Sequence, residues 1–330
     1  MNKIDFLAIG DITTDAFIRL KDAEVHCDVN NENCKLCVNF GDKIPFESVT
    51  VVKAVGNSAN AAVSASRLGL YSSLLAYIGD DQNGKDDLEE LKKNNVDTSF
   101  VRVDTGKRTN YHYVLWYDVD RTILVKHDEF NYDLGEIDHP RWVYLSSLGE
   151  NSLDYHLQIA DFIEKNQETK LAFQPGTFQI KIGKEALDKI YKNTEIFFCN
   201  VEEAQKILGE NSRDAKLLLK KISGLGPKIC VITDGINGAY AYETRNPETF
   251  LFMPIYPHTP FERTGAGDAY ASTIVSALAQ GVTLVEAMRW AGINSMSVVQ
   301  KVGAQEGLLT QEKIKEFLDN APEDYKVRKI

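Results

Sequence analysis

Arg263-Thr264-Gly265-Ala266-Gly267-Asp268 is the stretch that decides how this chain is read. It follows a segment rich in turn formers, 254–260, and opens an apolar run, 269–280, that reads as a helix ended by Gly281. Two glycines flanking one alanine let a ligand approach bare backbone N–H groups. At a helix start those groups lack intrahelical partners and the helix dipole is positive, so the site favours an anion. Asp268 then has two readings. It is an ordinary first-turn cap, or it is a base that takes a proton from a hydroxyl attacking a phosphoryl group, whose charge the Gly265, Ala266 and Gly267 amides stabilise.

Working outward, the pattern predicts an α/β fold. Residues 5–10 form a short buried strand, and 73–78 a second. Between them, 55–68 carry small apolar residues at helical spacing up to Gly69. A charged helix follows at 86–94, and the alternation over 101–126, interrupted by Asp118-Val119-Asp120, predicts a hairpin. From 142 onward strands alternate with helices: strands at 142–145, 170–173, 195–199 and 228–233, helices at 152–167, 180–192, 201–208, 212–223 and 284–300. That rhythm implies a mostly parallel sheet covered on both faces, with ligands at the carboxyl ends of its strands. The polar residues there are Asp11, Gln174, Asn200, Thr233 and the following Gly235. The polar segment 11–50 and the hairpin 101–126 are expected to pair as a small β layer inserted in one domain of 330 residues.

Composition sets limits. A chain of 330 residues with 43% hydrophobic and 26% charged residues builds a sizeable core. A net charge of −11 argues against nucleic acid as main partner. No apolar run is long enough to span a bilayer and no signal peptide opens the chain, so it reads as cytoplasmic, with no membrane partner. Five cysteines in this length do not make a disulfide scaffold. Cys27, Cys34 and Cys37 with His26 have partial zinc-site spacing; they are a structural Zn2+ site or reduced thiols. Cys199 and Cys230 read as core residues, and the remaining histidines as surface or core.

Three further patterns have two readings each. Gly79 to Lys85 nearly matches a P-loop, but Asp86 stands where Ser or Thr should hold magnesium, which favours a simple turn. Gly56-Asn57-Ser58-Ala59-Asn60 is a helix cap or a pair of amides suited to sugar hydroxyls. Asn200 and Glu203 open a helix, as plain first-turn residues or as organisers of magnesium and water near phosphates.

In this order the pieces resemble the ribokinase-like (PfkB-type) family of carbohydrate and nucleoside kinases. The resemblance runs through Gly10-Asp11, Gly56-Asn57-Ser58-Ala59-Asn60, Gly79-Asp80-Asp81, Asn200-Val201-Glu202-Glu203, Thr233-Asp234-Gly235, Thr264 to Asp268 and Val302-Gly303-Ala304. It implies a three-layer α/β/α domain with a small β-sheet lid that often mediates homodimers. It implies a kinase that uses ATP and Mg2+ to phosphorylate a sugar or nucleoside hydroxyl. Asp268 is then the base and Gly265, Ala266 and Gly267 the anion hole. Asp15, Gly56, Asn57 and Asn60 hold the acceptor; Asn200, Thr233, Gly235 and Asn294 attend the nucleotide; Glu203 holds Mg2+ through water. Two positions depart from the family pattern. Val55 stands where the first of two glycines is usual. Glu262-Arg263 replaces an Asp-Thr pair whose Asp helps bind a monovalent cation, and Arg263 offers positive charge there instead. A non-catalytic sugar or nucleotide sensor on the same fold is the alternative function. The aromatics Tyr111, Tyr113, Trp116 and Tyr117 read as a dimer core or a nucleobase stack.

Overall fold

The computed structural model describes residues 3–28 and 34–330. Its centre is a nine-stranded sheet in the order β17-β16-β15-β14-β13-β12-β11-β1-β6. The strands are β1 (Phe6–Ile9), β6 (Ser72–Leu75), β11 (Trp142–Leu145), β12 (Lys170–Phe173), β13 (Thr194–Asn200), β14 (Ile229–Thr233), β15 (Ala239–Glu243), β16 (Phe250–Met253) and β17 (Arg328–Lys329). Pairing is parallel from β6 to β14 and antiparallel from β14 to β17. The parallel strands are buried on both faces, which explains their continuous apolar runs.

Alternate residues of each strand feed two separate cores. Phe6, Ala8, Tyr144, Ala172 and Val231 pack under α1 (Asn57–Arg67), α8 (Ala266–Ala279), α9 (Leu284–Val298) and α10 (Gln311–Asp319). Leu7, Ile9, Leu145, Phe173 and Ile232 pack under α3 (Leu153–Lys165), α5 (Asp188–Asn193), α6 (Val201–Leu208) and α7 (Ala215–Ser223). The result is the expected three-layer α/β/α arrangement. Helix α8 is buried almost all round. Its alanines, facing the alanine-rich α1, let the two helices pack closely, and this closeness brings their N-termini together.

A second sheet has the order β10-β9-β2-β5, from β2 (Thr13–Leu20), β5 (Phe46–Val55), β9 (Asn110–Tyr117) and β10 (Asp120–Leu124). The hairpin is narrower than 101–126, because β8 (Arg102–Asp104) pairs in parallel with β7 (Tyr77–Gly79) of the body. Asp87 of α2 (Gln82–Lys93) joins sheet to body. Its buried carboxyl accepts from Ala54 N at 2.7 Å and Thr14 Oγ1 at 2.9 Å, and burial pushes its pKa up to about 7. Ala54 has φ 55°, so the chain leaves β5 through a left-handed residue just before α1.

Several expectations shift. Helix α2 starts at Gln82 because the Asp81 side chain caps it through Gly84 N. A Cβ at Gly84 would meet Gly79 O at 2.3 Å, so these glycines serve close packing, and the exposed Lys85 lies outside both clefts described below. The predicted helix 180–192 is two helices, α4 (Thr177–Ile182) and α5, because Gly183 turns out of the helical region at φ 95°.

The zinc reading is corrected. Cys27 and Cys34 form a disulfide beside the short hairpin β3 (Glu24–His26) and β4 (Lys35–Cys37), so neither sulfur is left to ligate a metal. His26 Nε2 instead meets Glu24 Oε2 at 3.0 Å, and Cys37 is left as a free thiol. Among the described residues no group of three or more His, Cys, Asp or Glu could hold a metal ion. Residues 29–33, between the two paired cysteines, lie outside those described. Thiol titration of the denatured chain checks the pairing. Three reactive thiols, Cys37, Cys199 and Cys230, are expected before reduction and five after it; five before reduction would remove the disulfide.

Candidate active site

The carboxyl ends of the parallel strands open into two adjoining clefts. The first, about 540 Å3, is walled by the small sheet on one side and the start of α8 on the other. The second, about 420 Å3, lies between the β14–β16 end of the large sheet and α9. Both are lined at their junction by Arg121, Asn200, Thr233, Arg263, Ala266, Gly267 and Tyr270.

The junction is built around α8. Gly265 caps the helix at φ 80°, and a Cβ there would stand 2.4 Å from Ala304 Cβ. The Gly303 turn thus packs directly beneath the loop and sets the direction in which α8 begins. Gly267 differs, since its missing side chain would meet only Gln174 Nε2, at 3.9 Å. Its position is exposed to the cleft, and space rather than packing accounts for its lack of a side chain.

Asp268 follows in the first turn and is buried. Its Oδ1 accepts from Asn57 Nδ2 at 2.8 Å and Gln174 Nε2 at 3.2 Å, and its Oδ2 from Asn60 Nδ2 at 2.8 Å. Asn57 and Asn60 are three apart at the start of α1 and so share a face. Gln174 is oriented in turn by Tyr144, whose hydroxyl donates to its Oε1. Burial raises the Asp268 carboxyl above the ordinary range, and the amides of Asn60, Gln174 and Asn57, with the nearby Arg121 charge, partly offset that rise. A carboxylate offers about four acceptor positions and three are filled, which leaves one on Oδ2.

The first cleft has polar walls. Asp15 is buried, its Oδ1 has no hydrogen-bond partner, and His112 Nδ1 lies 3.4 Å away. His112 Nε2 is also buried without a partner. His127 Nδ1 meets Asp11 Oδ2 at 2.9 Å, and Tyr132 donates to Asp11 Oδ1 at 2.7 Å. Asp11 itself does not line the cleft; it orients His127, which does. Gly56 sits at φ 104°, where a Cβ would be 2.9 Å from Asp11 O.

Asn200 and Glu203 form a reciprocal cap on α6: Asn200 Oδ1 accepts from Glu203 N, and Glu203 Oε2 accepts from Asn200 N, both at 2.8 Å. Burial raises the Glu203 carboxyl, with the charge of Asp268 adding to the rise. Such a carboxylate, lining the first cleft, is a hard oxygen donor that gains from a nearby cation. The second cleft is mainly apolar, with Gly235, Gly238, Met253, Ile255 and Met296 in its walls. Asn294 does not reach it. The residue is fully buried, donates to Thr273 Oγ1 and accepts from Leu309 N, so it secures α9 while Ser295 and Met296 beside it face the cleft.

Gln174 was among the polar strand ends expected near a ligand, whereas Arg121, His112 and His127 were not singled out from sequence. A signal existed for the strand residues. Arg121, Ile123 and Val125 alternate along one face, and His112 shares its parity with Asn110, Val114 and Trp116. The same parity separates the aromatics: Trp116 turns inward, 5.2 Å from Phe261, whereas Tyr113 is half exposed on the outer face.

Comparison with known proteins agrees with this arrangement. The model of the pfkB family carbohydrate kinases matches residues 25–311. The chain is 27% identical over 318 residues to 5-dehydro-2-deoxygluconokinase 1 of Bacillus cereus, covering 88% of this chain and 94% of that one. Its fold resembles a putative ribokinase from Agrobacterium tumefaciens, with TM-score 0.80, 18% identity and coverage of 97% and 98%. It also resembles the Arabidopsis thaliana ribokinase complexed with ribose and ATP, with TM-score 0.79, 18% identity and coverage of 96% and 99%. With a matching family model over most of its length, the chain belongs to the pfkB family of carbohydrate kinases, phosphotransferases with a hydroxyl acceptor.

Proposed function

We propose that this kinase transfers the terminal phosphate of ATP to a hydroxyl of a small polyhydroxylated sugar held in the first cleft. The observation that carries the reading is the meeting of the two clefts at the start of α8, with Asp268 on the acceptor side. Asp268 takes the hydroxyl proton on its unfilled Oδ2 position. The Gly265, Ala266 and Gly267 backbone faces the charge that develops on the transferring group. Asp15 and His112, with unmet polar atoms, bind other hydroxyls of the acceptor alongside Gly56, Asn57 and Asn60. The base and ribose of the nucleotide fit the apolar second cleft beside Thr233 and Gly235. Mg2+ would be held by Glu203 through water and would supply charge neutralisation between the phosphates.

A sugar suits the cleft better than a nucleoside. The tyrosines of the small sheet face away from it, and Trp116 is covered by Arg19, 4.7 Å from its ring, so no free aromatic face of that group awaits a nucleobase. The relative from Bacillus cereus, named for a sugar acid, and the plant structure holding ribose both support a sugar acceptor. The reading includes no monovalent cation. Glu262 is fully buried, and its carboxylate already accepts from Thr264 N at 2.8 Å, Thr264 Oγ1 at 2.6 Å and Gly303 N at 3.4 Å. The small sheet acts as a lid that excludes water as a competing acceptor. Its outer face exposes Val49, Val51, Tyr113 and Leu124, an apolar surface that suits a second copy of the chain. An ATP-consuming reaction of this kind suits the cytoplasm.

The deciding experiment measures ADP release against a panel containing ribose, other pentoses, hexoses, 5-dehydro-2-deoxygluconate, hexose phosphates and nucleosides. One sugar should raise ADP release by wild type, and Asp268→Asn should lower kcat by about 10²–10⁴-fold with its fold intact. A nucleoside as sole acceptor would overturn the sugar reading, and near-normal turnover by Asp268→Asn would remove the base. In wild type, kcat/KM should fall on the acid side as Asp268 is protonated. Because its pKa is raised, that limb should lie above the ordinary Asp value of about 3.9.

A pair of glycine variants tests the anion-binding turn. Gly265→Ala forces a Cβ onto Ala304 in a left-handed backbone and should cost about 1–3 kcal/mol of stability. Gly267→Ala fits the free protein and should leave stability within about 0.5 kcal/mol. It should still lower kcat by about 10²-fold, because the new methyl displaces the phosphoryl group. Thermal unfolding and steady-state kinetics separate the two; full activity in Gly267→Ala would refute the anion-binding role.

A further inference from the structure

We propose that Arg121, carried on the small sheet, binds the terminal phosphate of the donor where the two clefts meet. The inference rests on the kinase reading and adds a residue to it. Of the residues that line both clefts, Arg263, Ala266, Gly267 and Tyr270 come from α8 and the loop before it, and Asn200 and Thr233 from strand ends of the large sheet. Among the described residues, Arg121 alone reaches that junction from the small sheet. Its strand register explains how: it pairs with the inward-facing Trp116 across the hairpin, next to the contact of Trp116 with Phe261.

The guanidinium is held but not saturated. Its Nε is buried with no hydrogen-bond partner. Glu262 Oε1 is 3.9 Å from Nε, too far for a hydrogen bond, and already receives two closer donors from Thr264. Asp120 Oδ1 stands 3.5 Å from a terminal nitrogen. A buried carboxylate thus orients the arginine while leaving most of its five N–H donors unspent. A planar fork of donors matches phosphate oxygens in pairs, and transfer of a phosphoryl group concentrates charge at this junction. The arginine also favours the charged form of Asp268. The plainer reading is that Arg121 is only the counter-ion of the buried Glu262. The two differ in what they predict for nucleotides with and without a third phosphate.

The test is calorimetric titration of wild type, Arg121→Gln and Arg121→Lys with Mg·ADP and with Mg·AMP-PNP, with kcat measured on the acceptor found above. In Arg121→Gln, AMP-PNP should bind about 10-fold more weakly or worse, whereas ADP should stay within about twofold. The kcat should drop by about 10²-fold. Arg121→Lys keeps a charge beside Glu262 but loses the paired donors, so it should show the same selective loss in smaller measure. If Arg121→Gln does not fold, Arg121→Lys decides. Equal weakening of both nucleotides, or of neither, assigns Arg121 to Glu262 alone and overturns the proposal. Failure of wild type to bind either nucleotide overturns the kinase reading, and this proposal with it.

Discussion

The structure depends on one buried carboxylate. Asp268 sits in the first turn of a helix enclosed on all sides, where an unpaired charge would be costly. Three carboxamides from two other elements meet it, and two of them come from residues up to 211 positions away in the chain. Those contacts set demands on everything around them. Helices α1 and α8 must approach closely, so both are rich in alanine and serine. The chain before α8 must turn sharply over Ala304, so Gly265 has no side chain. Gln174 must hold one amide orientation, so Tyr144 is buried beside it. The arrangement keeps the acid nearly solvated by amides while leaving one acceptor position open toward the cleft.

The second demand is that the small sheet stand over this carboxylate without being part of the main core. The chain enters α1 from β5 through Ala54 at positive φ and Gly56, two left-handed residues around Val55. Val55 itself takes an ordinary φ, which is why a branched residue is accepted where a glycine is usual in the family. Asp87 ties that exit to the body through a backbone N–H and a hydroxyl rather than through a salt bridge. The root of the sheet is further held by the Lys53–Asp86 ion pair and the core packing of Ala54, while its far end brings Trp116 and Arg121 to the rim of the opposite wall. The proposed lid motion would use this distribution, with one end anchored and the other at the cleft rim.

How much was legible in sequence follows from how local each feature is. The turn at 263–268, the capping pair Asn200 and Glu203, and the strand–helix alternation are set by neighbours within a few residues, and they match the structure closely. Helix 180–192 failed because Gly183 interrupts an otherwise helical pattern, and a single glycine does not announce its φ. His112 and Arg121 were missed because their roles depend on which strand lies beside which. Asp15 faces His112 only through the β2–β9 register, a pairing between segments far apart in the chain. Asn294 erred in the opposite sense: it stands beside cleft-lining residues, but helical rotation turns it inward to Thr273. The cysteines illustrate the limit of spacing arguments, since Cys27 and Cys34, read as metal ligands or reduced thiols, pair instead as a disulfide.

Charge balance at the junction is the last constraint. Asp15, Glu203 and Asp268 line the first cleft and Glu262 lies buried behind Thr264, four carboxyl groups against two arginines, Arg121 and Arg263. In the free protein this excess is tolerated because each acid has its own device: amides for Asp268, the helix cap for Glu203, backbone donors for Glu262, and a histidine beside Asp15. A polyphosphate entering the junction adds further negative charge at the point where burial already raises Asp268 and Glu203. Two guanidiniums alone do not offset that, so the proposed reaction calls for a divalent cation to arrive with the nucleotide. Under that proposal, the acids that repel phosphate are the groups that make its binding conditional on the metal.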